Sequence, residues 1–250
     1  MYENPGGLAQ NIMKRALVFS GGGMFGAWQA GVWRGIASRL DRPPDLIVGA
    51  SVGSLNGYAI AGGVTPDELC AFWRQPEIGR FRDLPGTIRV LMERYPARLE
   101  YALTLTDLAR MKPKIVQSAD VTWKHLAASC AIPGVLPQQR IGGRWYSDGG
   151  LLNPLPVWAA VELGATQILA IHALPEIPSS VLKPFVKGFR RVFGHHPPLP
   201  PGVQLLTIEP EGPLGSIRDA LVWKRENIER WITEGLEASK NISIPNCFWR

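Results

Sequence analysis

The chain has 250 residues, 46% hydrophobic and 19% charged, with a net charge of +6. This composition excludes global disorder and supplies enough apolar material for one α/β domain. The positive balance favours an anionic partner without choosing between phospholipid headgroups and nucleic acid, and three scattered cysteines (Cys70, Cys130 and Cys247) exclude a disulfide framework and suggest a reducing compartment.

Residues 1–12 read as a loose lead-in. They show no basic region followed by an apolar stretch, so no signal peptide is expected. No window approaches about 18 uninterrupted apolar residues, so no membrane-spanning helix is expected either. Arg15–Ser20 is predicted to be a buried strand, Gly21–Gly26 a glycine loop and Ala27–Leu40 a helix. Leu46–Val48 is a second strand and Val52–Ala61 a second helix. Strand–helix–strand–helix in the first sixty residues argues for a parallel sheet with right-handed crossovers. Thr65, Pro66 and Glu68 form a helix start with a capping box.

Residues 76–96 carry no clear pattern. Glu100–Asp107 is a predicted strand, Asp120–Cys130 a helix, Pro154–Leu163 a helix stopped by Gly164, and Thr166–His172 and Val203–Ile208 further strands. Ile217–Lys240 reads as one long closing helix, with Trp223 and Trp231 packed in the core. There is no internal repeat. A single domain over residues 1–250 is expected, its weakest point being the proline-rich stretch His196–Pro201.

The chemistry concentrates in three places. Gly49-Ala50-Ser51-Val52-Gly53 follows a strand and opens a helix, the pattern of a nucleophile elbow. A Cβ on either side of the serine would strike neighbouring backbone. Upstream, Gly21-Gly22-Gly23-Met24-Phe25-Gly26 fits a dinucleotide-binding loop. That reading needs an acid at the end of the second strand, but Asp45 precedes the strand and Ser51 follows it. The other use of such a loop is to present backbone N–H groups to a developing oxyanion. Downstream, Asp148-Gly149-Gly150 is either an ordinary turn or a carboxylate held where backbone crowding is relieved.

Ser51 needs a base. His172, His195 and His196 follow Asp148, so a triad order is available. His172 ends a strand and could approach a site. His125 reads as a helix-surface residue, and His195-His196 as loop. The alternative base is Asp148 itself. No cysteine–histidine grouping suggests zinc.

Taken together, SGGGMFGAWQAGV, GASVGSLNG, AASCAIPGVLP and DGGLLNPLPVWAAVELGA resemble the patatin-like phospholipase family, over about Arg15 to Ile171. The resemblance implies a three-layer α/β/α fold with a mainly parallel central sheet. It implies a Ser–Asp dyad without catalytic histidine, with Ser51 as nucleophile and Asp148 as general base. Gly21, Gly22 and Gly23 would supply the oxyanion hole; Gly26, Gly49, Gly53, Gly149 and Gly150 are the remaining motif glycines. It also implies hydrolysis of acyl esters of phospholipids or other lipids, with no metal or other cofactor and no nucleic-acid partner. In one departure, many relatives carry arginine or lysine just before the last glycine of the loop, where this chain has Phe25. Phospholipids and neutral acyl esters therefore both stay open as substrates, as does a non-catalytic lipid-binding protein on the same fold.

Lys183–Phe193 projects as an amphipathic helix. Leu182, Phe185, Val186, Phe189, Val192 and Phe193 fall on one side, and Lys183, Lys187, Arg190 and Arg191 on the other. Two readings stand: an interfacial helix in which Lys187, Arg190 and Arg191 contact anionic membrane, or a helix packing its phenylalanines on the core. The expected location is cytoplasmic, peripheral at the membrane if the first reading holds.

Overall fold

The computed structural model describes residues 13–249, excepting 80–82, 180–181, 196 and 246–247. Cys247 and His196 lie outside the described residues. Five neighbouring strands run parallel in one sheet: β1 (Arg15–Phe19), β2 (Leu46–Ala50), β3 (Glu100–Asp107), β7 (Gln167–Ile171) and β8 (Gln204–Ile208). On the β3 side the sheet continues with antiparallel strands. β4 (Lys112–Gln117) and β6 (Arg144–Ser147) both pair with β3, and β5 (Gln139–Ile141) pairs with β6. The path runs β5-β6-β3-β2-β1-β7-β8.

Side-chain alternation along the strands builds two cores. Leu17, Phe19, Ile47, Tyr101, Leu103, Leu169 and Ile171 enter the larger one. Helices α1 (Gly26–Ile36), α2 (Val52–Ala61), α3 (Pro66–Trp73) and the final helix α9 (Arg225–Lys240) contribute to it. Ala16, Val18, Leu46, Val48, Ala102, Ile168 and Ala170 face the other way, onto Trp158, Ala159 and Ala160 of α6 (Val157–Glu162). The result is the three-layer α/β/α arrangement with a mainly parallel sheet. Helices α1 and α9 approach so closely that a Cβ at Gly31 would collide with the Ile232 carbonyl, and one at Gly235 with the Trp28 carbonyl.

The capping box at Thr65 is formed. The Glu68 N–H donates to Thr65 Oγ1, and the Thr65 N–H to Glu68 Oε2. The expected closing helix is two helices: α8 (Ile217–Leu221), with its own Ser216–Asp219 capping box, and α9. Between them the Trp223 indole donates to the Trp73 carbonyl, and Trp231 is fully buried. Residues 84–94 form α4 (Leu84–Arg94), and the expected helix at 120–130 is shorter, α5 (Trp123–Ser129). His125 is not on the helix surface. It is buried at the third position of α5, where its Nδ1 accepts the Thr122 N–H at 3.1 Å.

Candidate active site

Ser51 sits between β2 and α2 with φ 53° and ψ −133°, a left-handed conformation that costs a non-glycine residue of order 1–3 kcal/mol. The surroundings enforce it. A Cβ at Gly49 would collide with the Gly53 carbonyl, and one at Gly53 would meet the Ser20 and Phe19 carbonyls. The Ser51 N–H is held by Ser129 Oγ at 3.0 Å, and that hydroxyl donates to the Thr104 carbonyl. The serine oxygen is therefore aimed by backbone geometry.

Asp148 reaches the same place from the opposite strand direction. Because β6 runs antiparallel to β3, with Ser147 beside Thr106, the next residue turns back toward the level where β2 ends. Three bonds fix the Asp148 main chain there. Its N–H donates to the Ala131 carbonyl, its carbonyl accepts from Thr106 Oγ1, and the Gly149 N–H donates to the Ser129 carbonyl. A Cβ at Gly149 would collide with the Thr104 carbonyl, which accounts for glycine at that position.

The Ser51 hydroxyl donates to Asp148 Oδ2 at 2.6 Å, and the Gly150 N–H donates to Oδ1 at 2.7 Å. Burial raises the Asp148 pKa to about 6; the bonds from Ser51 and Gly150 and the charge of Arg190 oppose that rise without cancelling it.

The glycine loop follows β1, which pairs with β2, so it lies beside the serine. Its three amides are not equivalent. The Gly21 N–H donates to the Pro154 carbonyl at 2.8 Å and so is not free to meet an oxyanion. The Gly22 and Gly23 N–H groups have no acceptor among the described residues. Gly23 has φ 58°, and a Cβ there would collide with the Ala220 carbonyl of α8. Phe25 points away from the site: it is buried edge-on against Trp231, ring centroids 5.0 Å apart.

The other expected participants are elsewhere. Asp45 grips Arg15, with Nε–Oδ2 at 2.8 Å and Nη2–Oδ1 at 2.9 Å, a structural ion pair and not a ribose site. His172 Nδ1 is 2.9 Å from Glu209 Oε1, and His195 lies beside Glu162 and against Trp158. No described histidine bonds to Ser51. Among the described residues no group of three or more histidine, cysteine or acidic side chains is placed to hold a metal.

Helix α7 (Leu182–Phe193) departs most from its expected role. Arg190 is not turned outward with the other cations. Its Nη2 donates to the Gly150 carbonyl at 2.9 Å and its Nε to the Leu151 carbonyl at 3.2 Å, which removes it from the expected membrane contacts. Lys183, Lys187 and Arg191 are exposed. The helix lies along one wall of a cleft of about 480 Å³ that also contains Ser51, Asp148 and the glycine loop. Phe185, Val186, Phe189 and Arg190 line this cleft, Phe185 at its open edge with 73% of its surface exposed, and Val192 remains 72% exposed. A second cavity of about 230 Å³ meets the first at Gly23, Ser51 and Ile132. It runs under α3 and α4 between Leu55, Leu69, Phe72, Ile88 and Leu91. The composition of α7 was legible in the sequence, but the inward turn of Arg190 was not.

A strained serine thus bonds a buried carboxylate beside unpaired loop amides, at the end of a parallel sheet in an α/β/α fold. Residues 17–113 and 112–161 match the model of the family "Patatin-like phospholipase". The chain belongs to the patatin-like phospholipase family, whose members are lipid hydrolases. It is 27% identical over 188 residues to a lysophospholipase, nte1, of Aspergillus oryzae, covering 66% of this chain and 12% of that protein. It is 28% identical over 185 residues to the uncharacterized protein YjjU of Escherichia coli, covering 64% of this chain and 52% of that protein. The chain thus spans about half or less of these relatives' lengths. The solved structure of VipD from Legionella pneumophila superposes with a TM-score of 0.53 at 10% identity, over 91% of this chain and 66% of that one, a likeness of fold. No helix among the described residues is long and apolar enough to cross a membrane.

Proposed function

We propose that the protein is a lipid acyl hydrolase acting on carboxylic esters through Ser51 and Asp148. The observation that carries this reading is the 2.6 Å bond from the Ser51 hydroxyl to the Asp148 carboxylate. In the proposed cycle Ser51 Oγ attacks the ester carbonyl carbon while Asp148 Oδ2 takes the hydroxyl proton. The carbonyl oxygen becomes an oxyanion, met by the Gly22 and Gly23 amides and the positive end of the helix that follows. As the tetrahedral intermediate collapses, Asp148 returns the proton to the departing alcohol and an acyl-serine ester remains. Water then attacks that ester with Asp148 again as base, releasing the carboxylic acid and restoring the serine.

The electrostatics suit both halves of this cycle. With a pKa of about 6, Asp148 is mostly ionised at neutral pH and can accept a proton. Its conjugate acid is also close enough to neutrality to return that proton. An ordinary exposed aspartate would be a much weaker base.

Covalent labelling tests the reading. A fluorophosphonate probe is expected to modify Ser51, and Ser51→Ala is expected to lose both labelling and ester hydrolysis. Modification at another serine, or activity that survives Ser51→Ala, overturns the assignment, and a wild type that neither labels nor hydrolyses supports a non-catalytic lipid-binding role. Exposed Phe185, Val192 and Phe193 beside exposed Lys183, Lys187 and Arg191 favour α7 as the element that meets an anionic membrane.

A further inference from the structure

Two cavities meet at Ser51; apolar side chains wall both, and they differ in the cation that each one holds. The smaller, under α4, is lined mainly by leucine, isoleucine and aromatic side chains. Arg94, the cation on its lining, is exposed and lies over the Tyr95 ring. The larger, beside α7, contains the half-buried guanidinium of Arg190. An ester bound for attack at Ser51 has an acyl side and an alcohol side, and each must occupy one of these spaces.

Arg190 is an unusual cation. Its two protein partners, the carbonyls of Gly150 and Leu151, are neutral, and no carboxylate of the described residues is within ion-pair distance. Asp148 acts on it only at longer range and already accepts bonds from Ser51 and Gly150. A guanidinium carries five N–H donors in a planar fork suited to tetrahedral oxyanions. The carbonyl bonds engage Nε and Nη2. Nη1 has no acceptor among the described residues. The two carbonyl bonds hold the fork in place while leaving it with no carboxylate bonded to it among the described residues.

We propose that the cavities divide the substrate at Ser51: the one under α4 takes the acyl chain, and the α7 cleft, which holds Arg190, takes an alcohol half bearing a phosphate that Arg190 binds. This deepens the acyl-hydrolase reading and depends on it. It makes Arg190 a specificity-determining residue that favours phosphate-bearing esters over neutral esters of the same acid.

The test compares two soluble substrates with the same acyl chain, octanoyl lysophosphatidylglycerol and mono-octanoylglycerol, both at monomeric concentrations so that no lipid surface contributes. The readout is the ratio of their kcat/KM values. A general loss of structure lowers both rates and leaves this ratio alone. Wild type is expected to favour the phosphate ester. Arg190→Gln is expected to reduce the ratio at least tenfold, mainly through KM for the phosphate ester, and Arg190→Lys is expected to fall between. If Arg190→Gln does not fold, Arg190→Lys decides alone, with an expected fall of threefold or more. A ratio within twofold of wild type in the variants, or no preference in wild type, overturns the role of Arg190 while the hydrolase reading stands. Hydrolysis of neither ester removes both.

Discussion

The two sides of the cleft are built by different rules. On one side, Ser51, Asp148 and the glycine loop are locked by strand ends, main-chain hydrogen bonds and positions where no side chain fits. On the other, α7 reaches the reaction centre through two bonds from one arginine and keeps much of its apolar surface in solvent. Chemistry tolerates little positional error, whereas a wall that meets varied lipid must yield. The contrast suggests a rigid reaction centre beside a replaceable wall.

Substitutions on the rigid side are expected to have the larger consequences. Gly53→Ala places a methyl against the Ser20 and Phe19 carbonyls. It is expected to cost more than about 4 kcal/mol or to prevent folding, the range for backbone collisions in a core. Denaturant unfolding measures this, and a loss below about 1 kcal/mol would mean that the elbow can relax.

Asp148→Asn separates rate from stability. Losing the base is expected to cost about 10²–10⁴-fold in kcat. The folded-state pKa, about 6, lies above the ordinary 3.8, so the native state holds the proton more tightly than the unfolded chain does. That contribution is fully present below pH 4 and is lost as pH rises through 6 and the buried carboxylate ionises. At about 1.4 kcal/mol per unit, the ionised form is penalised by up to roughly 3 kcal/mol at pH 8. Asparagine carries no such charge, so the inactive variant is expected to melt at a higher temperature than wild type at pH 8, with the advantage gone at pH 4. Equal melting temperatures at pH 8 would mean that the carboxylate is better solvated than its burial indicates.

The same group sets the acid limb of the rate. Below about pH 6, kcat/KM for a non-ionising ester is expected to fall close to tenfold per unit. Because Arg190 favours ionised Asp148, Arg190→Gln is expected to move this limb to higher pH. A limb that stays put would show that α7 is electrically separate from the dyad.

The smallest effect is expected on the outer face of α7. Changing Lys187 and Arg191 together to glutamine removes two exposed cations, each worth about 1 kcal/mol near an anionic membrane. Vesicle sedimentation is expected to show about thirtyfold weaker binding, with high salt weakening wild type likewise. Equal sedimentation across a series of anionic lipid fractions would place the membrane contact elsewhere.

The contrast also separates what the sequence disclosed from what it hid. The elbow was legible because its requirement is local: a strand, a serine and two glycines that cannot carry a Cβ. The parallel centre followed from short apolar runs between glycines. β4, β5 and β6 were missed because they form the antiparallel flank of the sheet, one of them holding Pro113, with too few buried positions to show an alternation. The break between α8 and α9 is fixed by the bond from Trp223 to Trp73, 150 residues away, and helical periodicity carries no trace of it. Gly21 looked equivalent to its two neighbours until Pro154 took its N–H. Arg190 sat among cations on a helical wheel, but a wheel does not say which neighbour each edge will meet.

Phe25 packed on Trp231 has a consequence for synthesis. Ser51 and Asp148 leave the ribosome well before the residues that back the glycine loop, Ala220 behind Gly23 and Trp231 behind Phe25. A nascent chain can hold both Ser51 and Asp148 and still lack the support that fixes the Gly22 and Gly23 amides. The loop is therefore backed only once α9 has been made and has closed over α1.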